Sequence, residues 1–268
     1  MSTGRRRAEV PVRRGGSRSG SRAAGANGAR RGSRPSLLSG AIGVLGELLL
    51  TAGALMALFM VWQLWWTDVV ADREQEGIVA ELDQEWGELE TERIAAPQDG
   101  PPPVPQVQDT MVFGTLHVPD FDRPRVPLAE GVSLEQVLNV KGVGHYPETA
   151  LPGQVGNFSV AGHRNTYGRP FEDITRLEPG DPIVVETADA FYVYEVTESL
   201  VVLPQDVEVI APTPGQPDTE PTEAMLTLTA CHPMYSARER YIVHAKFAYW
   251  TDRDDGIPEA LATGDEEG

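Results

Sequence analysis

The chain has 268 residues, and 41% of them are hydrophobic, so it can bury a core and is not an intrinsically disordered protein. Its single cysteine, Cys231, excludes an intramolecular disulfide, so the fold depends on its core. The net charge of −18 hides an asymmetry, because residues 1–35 contain ten arginines and one acid, whereas residues 67–268 contain 12 basic and 38 acidic residues.

The N-terminal region combines a basic tail with an apolar segment. Residues 1–36 are rich in Arg, Gly, Ser and Ala, which predicts disorder. Residues 37–66 are apolar apart from Glu47 and long enough to cross a membrane. We predict a retained single-pass anchor, because the apolar run is long and no clear small-x-small cleavage site follows it. Since arginines that flank a first span stay inside, we expect a cytoplasmic N-terminus that contacts membrane lipid rather than nucleic acid. A cleaved signal peptide is the alternative. Three tryptophans lie where an interfacial aromatic belt is expected: Trp62, Trp65 and Trp66.

Residues 67–110 form an acidic stem followed by a linker. Apolar residues recur at helical spacing among many glutamates, namely Ile78, Leu82, Trp86 and Leu89. We interpret this helix as a solvated spacer; the alternative is a helix that packs on the following domain or on a second chain. Five prolines between Pro97 and Pro105 then predict an extended linker.

Residues 111–250 contain short strand patterns separated by turn signals. Helical patterns are brief, at Leu134–Leu138 and Phe171–Ile174. This succession predicts an all-β barrel or sandwich of single-domain size, followed by a loose acidic tail at residues 251–268. The predicted strands are Val112–Val118, Phe158–Ala161, Ile183–Glu186, Phe191–Val196, Ser199–Leu203, Met225–Thr229 and Tyr241–Phe247.

The thiol of Cys231 directly follows a predicted strand, at the mouth of a loop where reactive groups are common. Arg240 begins the next strand, and if the two strands are neighbours its guanidinium would stabilise a thiolate or an oxyanion. His163 follows another predicted strand and is the preferred acid–base partner. His232 is a weaker candidate, since adjacent side chains point in different directions. From spacing alone, a cysteine that is merely a small buried residue remains an alternative.

Three other histidines receive different interpretations. His117 and His244 fall within strand patterns, where a structural role is expected. His145 falls in a predicted loop, GVGHYP, from which it would line a cleft. No metal-binding motif and no nucleotide-binding glycine pattern is evident, so neither a metal nor a cofactor is predicted.

Two motifs resemble those of the sortase family. The segment TLTACHPMYSARERYIVHAKF (Thr227–Phe247) resembles the sortase signature, in which a TLxTC element precedes the nucleophile and an arginine begins the next strand. The segment NFSVAGHRNTYGRPF (Asn157–Phe171) resembles the histidine motif, and GHYPETALPGQVGN (Gly144–Asn157) the loop before it. The CHP and SAR-x-R elements are most similar to class E sortases of high-GC Gram-positive bacteria.

The resemblance implies a sortase-like eight-stranded β-barrel with short helices, preceded by a transmembrane helix and the acidic stem. It also implies that Cys231 is the nucleophile, His163 the general acid–base and Arg240 the oxyanion-stabilising cation, with Arg238 as the second choice. Ala230 departs from the threonine that usually precedes the nucleophile, which affects the expected contacts with substrate.

The implied function is that of an extracytoplasmic cysteine transpeptidase that anchors surface proteins. It would cleave a C-terminal LAxTG- or LPxTG-like sorting signal between Thr and Gly, and transfer the thioester-bound acyl group to a peptidoglycan-precursor amine. The alternatives are a pilin-polymerising sortase that uses a pilin lysine, a hydrolytic cysteine peptidase, and a non-catalytic membrane-tethered binding domain. The segment Asp83–Trp86 lacks the Asp-Pro-aromatic pattern of a pilin-sortase lid.

Overall fold

The computed structural model describes residues 37–89 and 91–262. The tail predicted at residues 1–36 and the last six residues therefore lie outside the described part. A long helix, α1 (Leu37–Trp86), precedes eight strands, and a short helix, α2 (Glu259–Ala262), follows them. The chain divides between Gly53 and Ala54 into two units; the second contains the rest of α1 and all the strands.

The eight strands close into a barrel in the order β1-β2-β3-β4-β7-β8-β6-β5, which confirms the predicted eight-stranded fold. The pairs β2–β3 and β4–β7 are parallel, and the other pairs are antiparallel. The strands are β1 (Val112–His117), β2 (Arg125–Glu130), β3 (Val143–His145), β4 (Gly156–Gly162), β5 (Pro182–Glu186), β6 (Ala190–Val202), β7 (Ala224–His232) and β8 (Glu239–Asp252).

Large side chains fill the barrel interior. Strand β4 is buried along its whole length, so it reads in the sequence as a short apolar run and not as an alternating pattern. Phe158 and Val160 from this strand pack with Leu226 and Leu228 from β7 in one core cluster, and all four are 0% exposed. The core therefore fixes the two strands that precede the candidate site residues.

Two strands, β2 and β3, were not predicted. Strand β2 contains Pro127, which argues against a strand in the sequence, and β3 has three residues. His145, expected in a loop, is the last residue of β3. Strand β6 is continuous where two strands were predicted, with a register shift between Val196 and Glu198. The predicted helical pattern at Leu134–Leu138 is a π-helical turn.

The C-terminal segment up to residue 262 is not the loose tail that its composition indicated. Strand β8 continues to Asp252, and the chain then folds back onto the barrel. Ile257 is 3% exposed, packs with Phe191 and Val193, and forms a parallel bridge with Ile94. A single buried isoleucine in a polar segment gives no periodic signal, so the sequence did not indicate this contact.

The beginning of α1 has the length and composition of a membrane-spanning helix. The large apolar side chains described between Ile42 and Trp66 are exposed. Contiguous apolar surface of this extent is rare on soluble monomers, which supports a membrane environment for this segment.

The stem part of α1 packs on the barrel and is not a solvated spacer. Ala71, Gln75 and Leu82 are buried along one stripe of the helix. Asp72 forms an ion pair with Arg123, with the two atoms 2.7 Å apart. The alternative interpretation, a helix that packs on the following domain, is therefore the observed one. The sequence did not indicate this helix packing because Ala71 and Gln75 are not strongly apolar.

A buried carboxylate, Glu186, forms hydrogen bonds and ion pairs with polar groups from several elements. It is 0% exposed and accepts hydrogen bonds from Thr115 Oγ1 and His117 Nε2, both at 2.8 Å. Arg125 Nη2 and Arg253 Nε each lie 3.0 Å from its oxygens. Burial alone would raise the pKa of Glu186, but the bond from His117 and the charge of Arg125 outweigh it and lower the pKa to about 2.

The two arginines of this cluster connect it to the end of α1. Arg125 Nη1 lies 2.8 Å from Asp83 Oδ1, and Arg253 donates to the carbonyl oxygens of Trp86 and Gly87 at 2.6 and 2.7 Å. Glu186 therefore offsets two cations that hold α1 and the C-terminal segment against the barrel.

We expect Glu186→Ala to lower the free energy of unfolding by about 3–5 kcal/mol, because Arg125 and Arg253, both largely removed from water, lose the buried carboxylate that they share. Urea unfolding followed by tryptophan fluorescence measures this loss. The matched control is Glu195→Ala, an exposed acid on β6, with a change within about 0.5 kcal/mol. A loss below about 1 kcal/mol for Glu186→Ala would contradict the role of the cluster.

The lowered pKa of Glu186 also predicts how the stability lost in Glu186→Ala depends on pH. The pKa of Glu186 falls from 4.5 to about 2 on folding, so its stabilisation is complete above pH 4.5 and is lost as the pH falls through about 2. The difference in the free energy of unfolding between wild type and Glu186→Ala should therefore decrease as the pH is lowered from 4.5 to about 2.

Candidate active site

Cys231 and Arg240 face each other across two neighbouring strands. In the antiparallel pair β7–β8, Cys231 is the direct partner of Arg240. Directly opposed residues project to the same face of a sheet, with Cβ atoms about 5 Å apart. The thiol is partly exposed, so it is accessible to a substrate. The expected proximity of this thiol and this guanidinium thus follows from the strand register.

His163 follows the last residue of β4, on the other side of β7. The final pair of the parallel β4–β7 ladder is Ala161 with Thr229. If this register continues for two more residues, His163 lies opposite Cys231. The three residues chosen from the sequence therefore belong to adjacent ends of three neighbouring strands, β4, β7 and β8.

The imidazole of His163 has two specific contacts. Its Nε2 lies 2.7 Å from Asn139 Oδ1, and its ring packs against that of Tyr167 with centroids 5.1 Å apart. Since the amide oxygen accepts, Nε2 carries the proton and Nδ1 keeps a free lone pair. Burial lowers the pKa of His163, which favours the neutral ring.

Sequence reasoning did not identify Asn139 or Tyr167. Asn139 follows the π-helical turn and lies 24 residues before His163, so no local pattern links the two. Tyr167 lies within the histidine motif, and its aromatic ring four residues after His163 was the available signal.

A buried cation, Arg164, lies next to His163 in the chain and is 6% exposed. Its Nη1 lies 3.0 Å from His232 Nδ1, and its Nη2 donates to Thr175 Oγ1 at 3.1 Å. Because a guanidinium can only donate, His232 Nδ1 accepts and the His232 proton resides on Nε2. Arg164 thus occupies the ring nitrogen that His232 would otherwise offer as a base.

The two candidate arginines differ in position. Arg238 lies before the first residue of β8, is exposed, and its Nε donates to Ser236 Oγ at 3.5 Å. Arg240 lies within the strand, and its Nη1 donates to the carbonyl oxygens of Ala237 and Glu239, both at 3.0 Å. Only Arg240 of these two is a cross-strand partner of Cys231.

Ala230, where the resemblance led us to expect threonine, is 2% exposed and belongs to the barrel core. Its methyl group therefore packs inward, while the next residue, Cys231, is partly exposed. The missing hydroxyl affects the core beneath the thiol and not the exposed surface beside it.

The remaining histidines are engaged in buried hydrogen bonds. His117 bonds to Glu186, and His244 Nδ1 lies 2.9 Å from Thr227 Oγ1. His145 is 2% exposed, and its Nδ1 lies 2.6 Å from Glu130 Oε2, which corrects the expectation that it lines a cleft. Within residues 37–89 and 91–262, no group of three His, Cys, Asp or Glu residues could hold a metal ion.

Comparison with known proteins identifies the family. A family model described as the sortase domain matches residues 116–248. Sortase SrtE1 from Streptomyces coelicolor is 39% identical over 225 residues, which cover 82% of this chain and 60% of that protein. Sortase SrtE2 from the same organism is 37% identical over 243 residues, which cover 87% of this chain and 90% of that protein.

Solved structures agree with the sequence comparison. The crystal structure of sortase E1 from Streptomyces coelicolor with a tripeptide in the active site aligns with a TM-score of 0.54 and 44% identity. The alignment covers 58% of this chain and 99% of that chain. This chain thus spans about 60% of the length of SrtE1 and nine-tenths of SrtE2. It belongs to the sortase family of enzymes, and its similarity to proteins named sortase E is consistent with class E.

Proposed function

We propose that the protein is a membrane-anchored cysteine transpeptidase that cleaves a C-terminal sorting signal between Thr and Gly. It transfers the acyl group to the amine of a peptidoglycan precursor and so anchors surface proteins. The observation that carries this proposal is the cross-strand pairing of Cys231 with Arg240 beside the strand that leads to His163.

In the first step, the thiolate of Cys231 attacks the carbonyl carbon of the signal threonine. The carbonyl oxygen becomes an oxyanion, which the positive charge of Arg240 stabilises. When the Thr–Gly bond breaks, the acyl group remains on sulfur as a thioester. The glycine amine takes a proton from the imidazolium of His163 and leaves.

In the second step, the incoming amine attacks the thioester and loses a proton to His163, which regenerates the thiolate and the imidazolium. The bond from Nε2 to Asn139 supports Nδ1 as the nitrogen that carries this proton. Burial lowers the pKa of His163 and makes its imidazolium a better proton donor to the leaving amine.

We further propose that residues 37–66 anchor the enzyme and that the arginine-rich N-terminus is cytoplasmic. The catalytic domain, residues 111–250, then lies outside the cell, connected through residues 67–110. Proteins that carry an LAxTG- or LPxTG-like signal are the donor substrates. The packing of α1 argues against a pilin-sortase lid, because Asp83 lies in this helix and forms an ion pair with Arg125.

We expect the full-length protein to form a thioester with LAxTG or LPxTG peptides and to yield more transfer product when an amine is added. Intact-mass spectrometry detects the adduct, and Cys231→Ala should abolish both adduct and cleavage. Cleavage by Cys231→Ala would contradict the proposal. Hydrolysis unaffected by amine would indicate a cysteine peptidase, and no cleavage of either peptide would favour a binding domain.

Arg240→Ala should lower kcat/KM for peptide cleavage about 100- to 1000-fold, because the oxyanion loses its cation. The matched control is Arg238→Ala, which removes a neighbouring exposed arginine and should leave kcat/KM within about threefold. Equal losses in the two variants would contradict the assignment of Arg240.

Asn139→Ala should remove the preference of His163 for a proton on Nε2. Nitrogen-15 NMR of the ring distinguishes the two tautomers, and His244, which does not contact Asn139, is an internal control. We expect kcat to fall about tenfold, because part of the neutral ring then presents the wrong nitrogen. An unchanged His163 tautomer would contradict the role of Asn139.

A further inference from the structure

The side chain of Gln75 lies at a junction between α1 and two turns of the barrel. It is 0% exposed, and its Nε2 donates to the carbonyl oxygen of Tyr167 at 3.1 Å. A Cβ at Gly142 would lie 3.3 Å from Gln75 Cδ, and a Cβ at Gly168 would lie 2.7 Å from Gln75 Oε1. The amide therefore fits between two turns that have glycine at the points of contact.

Each of these turns carries one contact of His163. Gly168 follows Tyr167, whose ring packs on the imidazole. Gly142 comes three residues after Asn139, whose Oδ1 lies 2.7 Å from Nε2 of His163. One side chain from α1 thus packs against both turns that hold the imidazole.

The backbone of Tyr167 needs such support. Its φ is 56°, in the left-handed region, which costs a residue other than glycine about 1–3 kcal/mol. The hydrogen bond from the buried Gln75 amide to its carbonyl oxygen is partly buried, so it stabilises this conformation with reduced competition from water.

Two ion pairs hold the same turn against α1 from more exposed positions. Asp72 pairs with Arg123, whose Nη1 also donates to the carbonyl oxygen of Gly168 at 2.6 Å. Asp68 lies 3.5 Å from Arg169. Partly exposed pairs of this kind contribute about 0–1 kcal/mol each, so the buried amide is the contact that fixes the geometry.

We propose that Gln75 is a positioning residue for transpeptidation, and that it holds His163 in line with Cys231 through the turns of Asn139 and Tyr167. This inference rests on the acid–base role proposed for His163. It assigns the stem part of α1 a role in positioning the active site, through a hydrogen bond from Gln75 to Tyr167.

The test uses the full-length protein in detergent micelles and an LAxTG or LPxTG peptide that it cleaves. We expect Gln75→Ala to lower kcat about 10- to 100-fold, because the imidazole is misplaced, and to leave KM within about twofold. The pKa of His163 should also rise towards its ordinary value, because a looser site admits water; an NMR titration of the ring measures this.

Two further variants separate positioning from general destabilisation. Gln75→Met keeps the side-chain volume but removes the donor to Tyr167, and it should show the same loss of kcat as Gln75→Ala with a smaller fall in Tm, because it leaves no cavity. The matched control is Gln84→Ala, which removes the same kind of side chain from the exposed surface of α1 and should leave kcat and the His163 pKa unchanged.

The outcomes distinguish this inference from the function on which it rests. If His163→Ala is inactive while Gln75→Ala and Gln75→Met keep the wild-type kcat and His163 titration, the positioning role is wrong and the proposed function stands. If His163→Ala retains activity, the acid–base role and the inference are overturned together.

Discussion

The pairing of β7 with β4 on one side and with β8 on the other is the constraint on which the active site depends. The register with β4 runs from Gly156–Ala224 to Ala161–Thr229, and core residues such as Phe158 and Leu228 hold it in place. A slip of one residue would place Asn157, Ser159 and Thr227 where large apolar side chains now fill the barrel, so the core admits one register. The same register determines which residues meet at the strand ends.

Three polar side chains around the thiol, Arg240, Arg164 and His163, have different environments and therefore different proposed roles. Arg240 faces Cys231 across the ladder from a partly exposed position, where it can meet a substrate oxygen. Arg164 is buried and bonded to His232, so it holds the loop after the thiol and leaves that histidine without a free Nδ1. His163 therefore keeps the acid–base task in the proposed mechanism, with its tautomer set by Asn139.

The stem part of α1 joins this site to the rest of the barrel through two partly buried polar contacts. Near its end, Asp83 pairs with Arg125, which belongs to the Glu186 cluster. Two helical turns earlier, the amide of Gln75 fits beside the turn that carries Tyr167. Buried polar groups are costly when unpaired, so both contacts specify one position of the helix on the barrel. In the proposed mechanism, the helix that leads out of the proposed anchor thus also supports the imidazole of His163.

The sequence by itself determined the apolar anchor segment, most of the strands and the order of His163, Cys231 and Arg240, because these features are local runs, periodicities or motifs. Only the tertiary structure revealed the packed stem, the buried Ile257 and the contacts of Asn139 and Gln75. Those contacts join residues far apart in the chain, such as Gln75 and Tyr167, 92 positions apart, and involve residue types that are usually exposed. A pairing of this kind depends on the closure of the barrel, which leaves no periodic signal in either segment.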